Sequence, residues 1–242
     1  MGDYMKKALF IFSAISLFIF LFALQEVKYS STSQLLENSY PIIIIDAGHG
    51  GEDGGAVSND GTNEKEINLQ IALKLNEVLT TMGYNTEMIR TTDVSIHNLD
   101  ATTIRQRKNT DLKNRKAYMD KYENSIYISI HQNKFSDEDV WGAQVFHSPN
   151  DERSKVLSEF IQREIRNRIQ PTNNRSVKKS GTNIYILYNA TQPAVMVECG
   201  FMSNQNELSQ LKNSDYQSQM AFSIMSGIIN YFVSEVKNGT EI

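Results

Sequence analysis

The chain has 242 residues, 21% of them charged, and a formal net charge of −4. This length suits one α/β domain with a sizeable core, and the lack of a strongly basic balance argues against nucleic acid as a partner. The single cysteine, Cys199, excludes an intrachain disulfide, so the fold must rest on its hydrophobic core.

Residues 1–24 are predicted to be a signal peptide or a signal anchor. Lys6 and Lys7 precede the uncharged, mostly apolar run Ala8–Leu24, and a basic flank before an apolar core is typical of export segments. The run is near the lower limit of roughly 17–25 residues for crossing a bilayer. The end of the run that carries Lys6 and Lys7 should stay in the cytoplasm. We therefore expect an extracytoplasmic protein that is secreted, or that is held in the membrane only through residues 8–24.

Residues 25–40 are polar and serine-rich, which is typical of a linker, and residues 41–236 are predicted to form one folded domain. This domain opens on Ile42–Ile45, a run that is too short and too β-branched for a helix and is typical of a strand buried on both faces. A glycine-rich loop follows and carries His49, just past the end of the strand. Open α/β sheets usually bind their ligands at such strand ends.

Farther along, apolar spacings of three and four predict a helix up to Met82, with Gly83 as its C-cap. The polar stretch Thr91–Asp111 has no clear period and is predicted to be a long loop. The other predicted elements are strands at Asn85–Arg90, Ser125–Ile130, Ala143–His147, Asn183–Tyr188 and Pro193–Val197, and helices at Lys113–Lys121, at Asp151–Ile169 and from Ser214 onward. Strands that alternate with helices predict an α/β fold, a single domain with a twisted, mostly parallel sheet and helices on both faces.

Three titratable side chains directly follow the strongly apolar runs: His49, His131 and Glu198. If these strands are parallel, the three side chains meet at one edge of the sheet. Two histidines and a carboxylate with one open coordination position form a catalytic zinc site, in which the metal activates water. The ligand spacing is dispersed and contains no local metal motif, so these residues alone are compatible both with a metal site and with a coincidence of structural side chains.

Several blocks of the sequence resemble, in order, those of the zinc-dependent N-acetylmuramoyl-L-alanine amidases, over about Pro41–Val233. The blocks are IDAGHGGEDGGA (Ile45–Ala56), NEKEINLQIALKL (Asn63–Leu75), RTTD (Arg90–Asp93), SIHQN (Ser129–Asn133) and PAVMVECGFMSNQNE (Pro193–Glu207). The resemblance implies hydrolysis of the amide bond between N-acetylmuramic acid and L-alanine in peptidoglycan, with one Zn²⁺ per domain.

The same resemblance implies that His49, Glu64 and His131 are the zinc ligands, and that Glu198 is the catalytic glutamate rather than a ligand. Glu64 would reach the metal from the start of a helix, beside the loop that carries His49. Glu198 would take a proton from the attacking water and pass it to the departing alanine amine, as general base and then general acid. Glu66 lies two residues from Glu64 and would not face the same way on a helix.

A narrower resemblance links TIRQRKNTDLKNR (Thr103–Arg115) to the spore-cortex, germination-specific amidases of endospore formers. Those enzymes remove the peptide from alternate muramic acids as a step toward muramic δ-lactam, which implies a role in sporulation, between the spore membranes. Basic residues of this stretch either hold an anionic glycan strand or keep a loop soluble: Arg105, Arg107, Lys108, Lys113 and Arg115. The long loop and the lack of a recognisable wall-binding module suggest an accessory protein that orders the zinc site.

Two alternatives to a zinc amidase stay open. A Cys199–His131 thiol hydrolase would use the cysteine next to Glu198, although strand alternation directs Cys199 to the opposite face and favours a buried structural thiol. A non-catalytic wall-binding or regulatory module would keep the fold without the reaction. The presence of His49, Glu64, His131 and Glu198 together argues against that second alternative.

Overall fold

The computed structural model describes Gly2, Tyr4, residues 15–22 and residues 40–237. The chain divides into two compact units, Met1–Tyr40 and Pro41–Ile242. Residues 15–22 are helical, whereas the rest of the predicted export run and the predicted linker up to residue 39 lie outside the described residues. Within the described part of the chain, no helix is long and apolar enough to cross a membrane.

The second unit is built on a six-stranded sheet with the strand order β2-β1-β3-β6-β4-β5. Its strands are β1 (Ile42–Ala47), β2 (Thr86–Met88), β3 (Ser125–Asn133), β4 (Gln144–His147), β5 (Lys178–Lys179) and β6 (Ala194–Phe201). β1 is parallel to β2 and β3, β3 is parallel to β6, and β4 is parallel to β5, whereas β4 and β6 are antiparallel. The predicted α/β class with a mostly parallel sheet is therefore confirmed.

Helices cover both faces of this sheet. They are α1 (Glu64–Thr81), α2 (Ile104–Met119), α3 (Glu152–Arg168), α4 (Tyr185–Asn189), α5 (Gln205–Leu211) and α6 (Ser214–Lys237). α1 and α3 both pack against α6 on one face. α2 and α4 cover the other face, around a core that includes Ile44, Met119, Tyr127 and Leu187. Because β1 is covered on both sides, its isoleucine run is buried on both faces, as predicted.

The stretch Thr91–Asp111 is only partly a loop, because α2 begins at Ile104 and not at the predicted Lys113. A capping box at Thr103 starts the helix, and this pattern is visible in the sequence. The prediction failed because it relied on an apolar period, whereas the buried residues of α2 are Asp111, Arg115 and Met119, and two of these three are charged.

The segment Asn183–Tyr188 is not a strand, because most of it belongs to the short helix α4. Ile186 and Leu187 are consecutive and are both buried, which strand alternation would not allow against a single core. Packing against α2 thus overrides the β-prone composition of this segment. β5 and α5 are absent from the prediction, since β5 is a pair of exposed lysines and α5 is too short to show a period.

β3 and β6 are longer than predicted. They extend through Asn133 and Phe201, so His131 and Glu198 lie inside strands and do not follow them. The other predicted helices and strands agree with the observed ones to within a few residues.

Candidate metal centre

His49 lies in the glycine-rich loop that follows β1. Its backbone φ of 62° is in the left-handed region, which costs a non-glycine residue about 1–2 kcal/mol. Its Nδ1 is 2.8 Å from Oδ2 of Asp53, and its Nε2 is 3.3 Å from Oε2 of Glu64. Burial alone would lower the pKa of His49, but the hydrogen bonds to Asp53 and Glu64 outweigh burial and raise the pKa to about 9.

Glu64 is the first residue of α1 and is only 4% exposed. Its Oε1 lies 2.9 Å from Nδ1 of His131. The backbone N–H of Ala56 donates to Oε2 at 2.8 Å, and the backbone N–H of Gln132 donates to Oε1 at 3.1 Å. Burial would raise the pKa of Glu64, but the hydrogen bonds from His131 and His49 hold it well below its usual range. The carboxylate is therefore fixed, charged and turned toward both imidazoles.

The close approach of these side chains requires glycine at two positions of the loop. A Cβ on Gly48 would collide with the imidazole of His131, and a Cβ on Gly55 would collide with Oε2 of Glu64 and the ring of His49. Gly55 also has a φ of 69°, which side chains with a Cβ rarely adopt. These glycines make room for the donor side chains themselves.

His49, Glu64 and His131 form a group that can bind a metal ion, since one donor atom of each lies within 4.8 Å of the others. The two rings meet edge to face, with centroids 4.9 Å apart. Imidazole nitrogens and a carboxylate are donors that suit zinc. Asp53 on Nδ1 of His49 supplies the carboxylate that commonly orients a metal-binding histidine. The residues present therefore fit a zinc ion.

Glu198 stands beside this group. It is the register partner of His131 in the β3–β6 pair, so both side chains point to the same face. Burial raises the pKa of Glu198 to about 7, with the charge of His131 opposing the rise and that of Glu64 adding to it. Its Oε2 is buried and has no hydrogen-bond partner within the part of the chain that the structure describes. The side chain as a whole is only partly buried, and a carboxyl whose pKa lies near neutrality is well suited to exchange a proton with a molecule bound at this edge.

Cys199 follows Glu198 in β6 and is completely buried. Because side chains alternate along a strand, Cys199 points to the face opposite Glu198 and His131. Burial raises the pKa of its thiol far above the usual range, so the reactive thiolate is not available near neutral pH. The structure thus gives a Cys199–His131 hydrolase no accessible nucleophile.

The basic residues singled out on α2 differ in what they contact. Arg115 is only 2% exposed and pairs with Asp46 and Asp111, so it does not offer a surface charge to a glycan. Among the more exposed ones, Arg107 pairs with Glu52 and Lys108 pairs with Asp53. Arg105 and Lys113 are exposed. Of the proposed glycan contacts, the buried Arg115 is therefore ruled out.

Two adjoining cavities open at this edge of the sheet. One, of about 310 Å³, is lined by both imidazoles and by the neutral segment 183–186, which includes Tyr185. The other, of about 410 Å³, is lined by charged and hydroxyl side chains, among them Glu52, Thr102 and Arg107. Charged side chains line both cavities, and Asp53, Lys108 and Asp111 are shared between them. An extended molecule bound at the imidazoles can therefore reach from one cavity into the other.

Residues 43–230 match the family model Amidase_3, N-acetylmuramoyl-L-alanine amidase. The germination-specific N-acetylmuramoyl-L-alanine amidase of Bacillus subtilis (strain 168) is 32% identical over 235 residues, which cover 96% of this chain and 98% of that protein. The CwlD amidase from Clostridioides difficile, solved in complex with the GerS lipoprotein, is 40% identical with a TM-score of 0.78, over 80% of this chain and 99% of that chain. The N-acetylmuramoyl-L-alanine amidase from Clostridium difficile 630 is 27% identical with a TM-score of 0.72, over 82% of this chain and 100% of that chain.

Proposed function

Because the chain belongs to the Amidase_3 family and is thus an N-acetylmuramoyl-L-alanine amidase acting on peptidoglycan, we propose that its reaction depends on zinc held by His49, Glu64 and His131. The observation that carries this proposal is the convergence of these three donors beside the partly buried carboxyl of Glu198. No wall-binding role without catalysis would need that combination.

In the proposed reaction, His49, Glu64 and His131 would hold a zinc ion, which would supply polarisation of the muramoyl–alanine carbonyl and a lowered pKa for water. Asp53 orients the ring of His49 through Nδ1 and leaves Nε2 for the metal. Glu198 is the general base, since it shares a face of the sheet with His131 and its pKa of about 7 lets it take a proton from the attacking water near neutral pH. Glu198 then returns this proton to the alanine nitrogen as the amide breaks.

We place the substrate across the two cavities described above, with the scissile amide at the imidazoles. Tyr185, in the imidazole cavity, offers an aromatic face to a sugar ring, whereas Arg107 and Glu52, in the other cavity, offer charges to the ionised groups of the stem peptide. The glycan and the stem peptide would therefore lie in different cavities on the two sides of the amide.

We further propose that the enzyme acts outside the cytoplasm of a spore former, in cortex maturation toward muramic δ-lactam. The support is the relative from Bacillus subtilis, which is named a germination-specific amidase and which this chain matches over nearly its whole length. The similar CwlD amidase was solved in complex with a lipoprotein, which supports the proposal that an accessory lipoprotein helps to order the zinc site here.

Removal of zinc is expected to stop the release of stem peptides from purified peptidoglycan, and added Zn²⁺ is expected to restore it. Mass spectrometry of the digested muropeptides measures the release, with and without a co-expressed accessory lipoprotein. Cys199→Ala should keep its activity, because the thiol is buried away from His131. The zinc mechanism would be contradicted if the wild-type protein stayed active after a chelator had removed its zinc while Cys199→Ala was inactive.

In spores, loss of the enzyme is expected to leave the cortex without muramic δ-lactam, because removal of the peptide must precede closure of the lactam ring. Cortex peptidoglycan from parent and deletion strains can be compared by the same mass spectrometry. A normal δ-lactam content in the deletion strain would refute the cortex role, but it would not contradict the assignment of the protein as an amidase.

A further inference from the structure

Two buried arginines lie beneath the loop that carries His49 and donate hydrogen bonds to its backbone carbonyls. Arg115, on α2, donates from Nη2 to the carbonyl of His49 at 2.7 Å and from Nη1 to the carbonyl of Ala47 at 3.1 Å. Its Nε donates to Oδ2 of Asp111 at 2.6 Å, and its Nη1 also pairs with Asp46. The guanidinium of Arg115 therefore holds the backbone of this loop in place where His49 adopts its left-handed conformation.

Arg90, which follows β2, holds the same loop from another direction. It is 3% exposed and donates from Nε to the carbonyl of Ala47 at 2.7 Å and from Nη2 to the carbonyl of Gly48 at 3.0 Å. The same Nη2 donates to the carbonyl of Lys65 at 2.9 Å. Since Lys65 follows Glu64 in the first turn of α1, Arg90 joins the segment of His49 to the segment of Glu64.

Asp46 extends this network to the third donor. Its carboxylate pairs with Arg115 and accepts hydrogen bonds from the hydroxyls of Tyr127 and Ser129. Tyr127 and Ser129 belong to β3, the strand that carries His131. Asp46, Tyr127 and Ser129 are themselves buried. The two arginines and Asp46 therefore connect all three segments that carry donor side chains.

We propose that Arg90 and Arg115 are positioning residues of the metal centre, which set the affinity for zinc by holding the segments of His49, Glu64 and His131 in register. The inference rests on the zinc site proposed above. It requires arginine in particular, because a planar guanidinium spans several carbonyls and a carboxylate at once, whereas the single nitrogen of lysine does not.

Arg115→Lys and Arg90→Lys test this inference in the full-length chain. Each variant is expected to bind Zn²⁺ about 10–100-fold more weakly, the loss typical of removing an outer partner of a metal site. Competition with a chromophoric zinc chelator measures the dissociation constant, and thermal unfolding of the zinc-free protein measures stability separately. Tyr127→Phe, which removes one hydrogen bond to Asp46, is a milder variant that should fold and lose a smaller factor in zinc affinity.

Two controls separate positioning from general destabilisation. Arg166→Lys makes the same substitution on α3, where Arg166 donates to the carbonyl of Arg175, and should leave the zinc affinity unchanged. Leu157→Ala removes a completely buried side chain of α3 and should lower the Tm without weakening zinc binding. Wild-type zinc affinity in both Arg115→Lys and Arg90→Lys, or in Arg90→Lys and Tyr127→Phe if Arg115→Lys does not fold, would overturn this inference but not the proposed metal site. Failure of the wild-type chain itself to bind zinc would overturn the proposed metal site and this inference with it.

Discussion

Replacing Glu198 with glutamine is expected to lower kcat about 10³-fold, within the range of general acid–base contributions. Glutamine has nearly the same size and fits the partly buried position beside His131, but its amide cannot accept the proton of the attacking water. Zinc affinity should change little, because Glu198 is not one of the three converging donors. Time courses of peptide release, followed by mass spectrometry, give kcat, and chelator competition gives the zinc affinity.

A second buried glutamate provides the matched control. Glu207, on α5, is 5% exposed and accepts the backbone N–H of Phe201 at 2.8 Å, but it is outside the group of donors at the sheet edge. Glu207→Gln should lower the Tm and keep kcat within a few-fold of the wild type. If Glu198→Gln retained more than about a tenth of the wild-type kcat while binding zinc normally, Glu198 would not be the general base.

Glu64→Gln should weaken zinc binding at least about 100-fold, more than the loss that follows removal of an outer partner, and should abolish activity at low zinc concentrations. The substitution keeps the shape of the side chain but removes the negative charge that two neutral imidazoles need beside them to hold a divalent cation. The readout is the Tm as a function of zinc concentration, because a ligand that binds only the native state stabilises it in proportion to RT ln(1 + [L]/Kd). The rise seen in the wild type should disappear in the variant.

Glu66→Gln is the control for this experiment. Glu66 is two residues away in the same first turn, but it is exposed and contacts Asn63, away from both imidazoles. Its replacement should leave the zinc-dependent rise in Tm intact. An unchanged rise in Glu64→Gln would show that zinc is held by other residues.

The edge of the sheet that carries the site was predictable, because it follows from local sequence. Short β-branched runs next to His49, His131 and Glu198 are typical of buried parallel strands, and parallel strands present their carboxyl ends at one edge. The structure brings these three residues together there. Glu64 could not be found in this way, since nothing in a polar helix start distinguishes it from Glu66. Only the family resemblance indicated that Glu64 is the one turned inward.

The misassigned segments show where local patterns fail. α2 buries a stripe in which Asp111 and Arg115 are charged, so its inward face looks like a solvent-exposed one in sequence. Those charges are buried because Arg115 pairs with Asp111 and also with Asp46, which is distant in sequence, beneath the loop of His49. The same buried ion pairs therefore hold the loop of His49 in place and hide the first half of α2 from prediction by apolar spacing.

The donors also differ in their distance along the chain, which has a consequence for folding. The loop from Ala56 to the Oε2 atom of Glu64 closes over eight residues, whereas the contact of Glu64 with His131 spans 67 residues. Short loops close early and at small entropic cost, and distant contacts form later. The half-site of His49 and Glu64 can therefore form before β3 has joined β1. Because the third proposed donor arrives with β3, we expect zinc to bind with full affinity only after the sheet has assembled, so that metal binding would follow folding and not guide it.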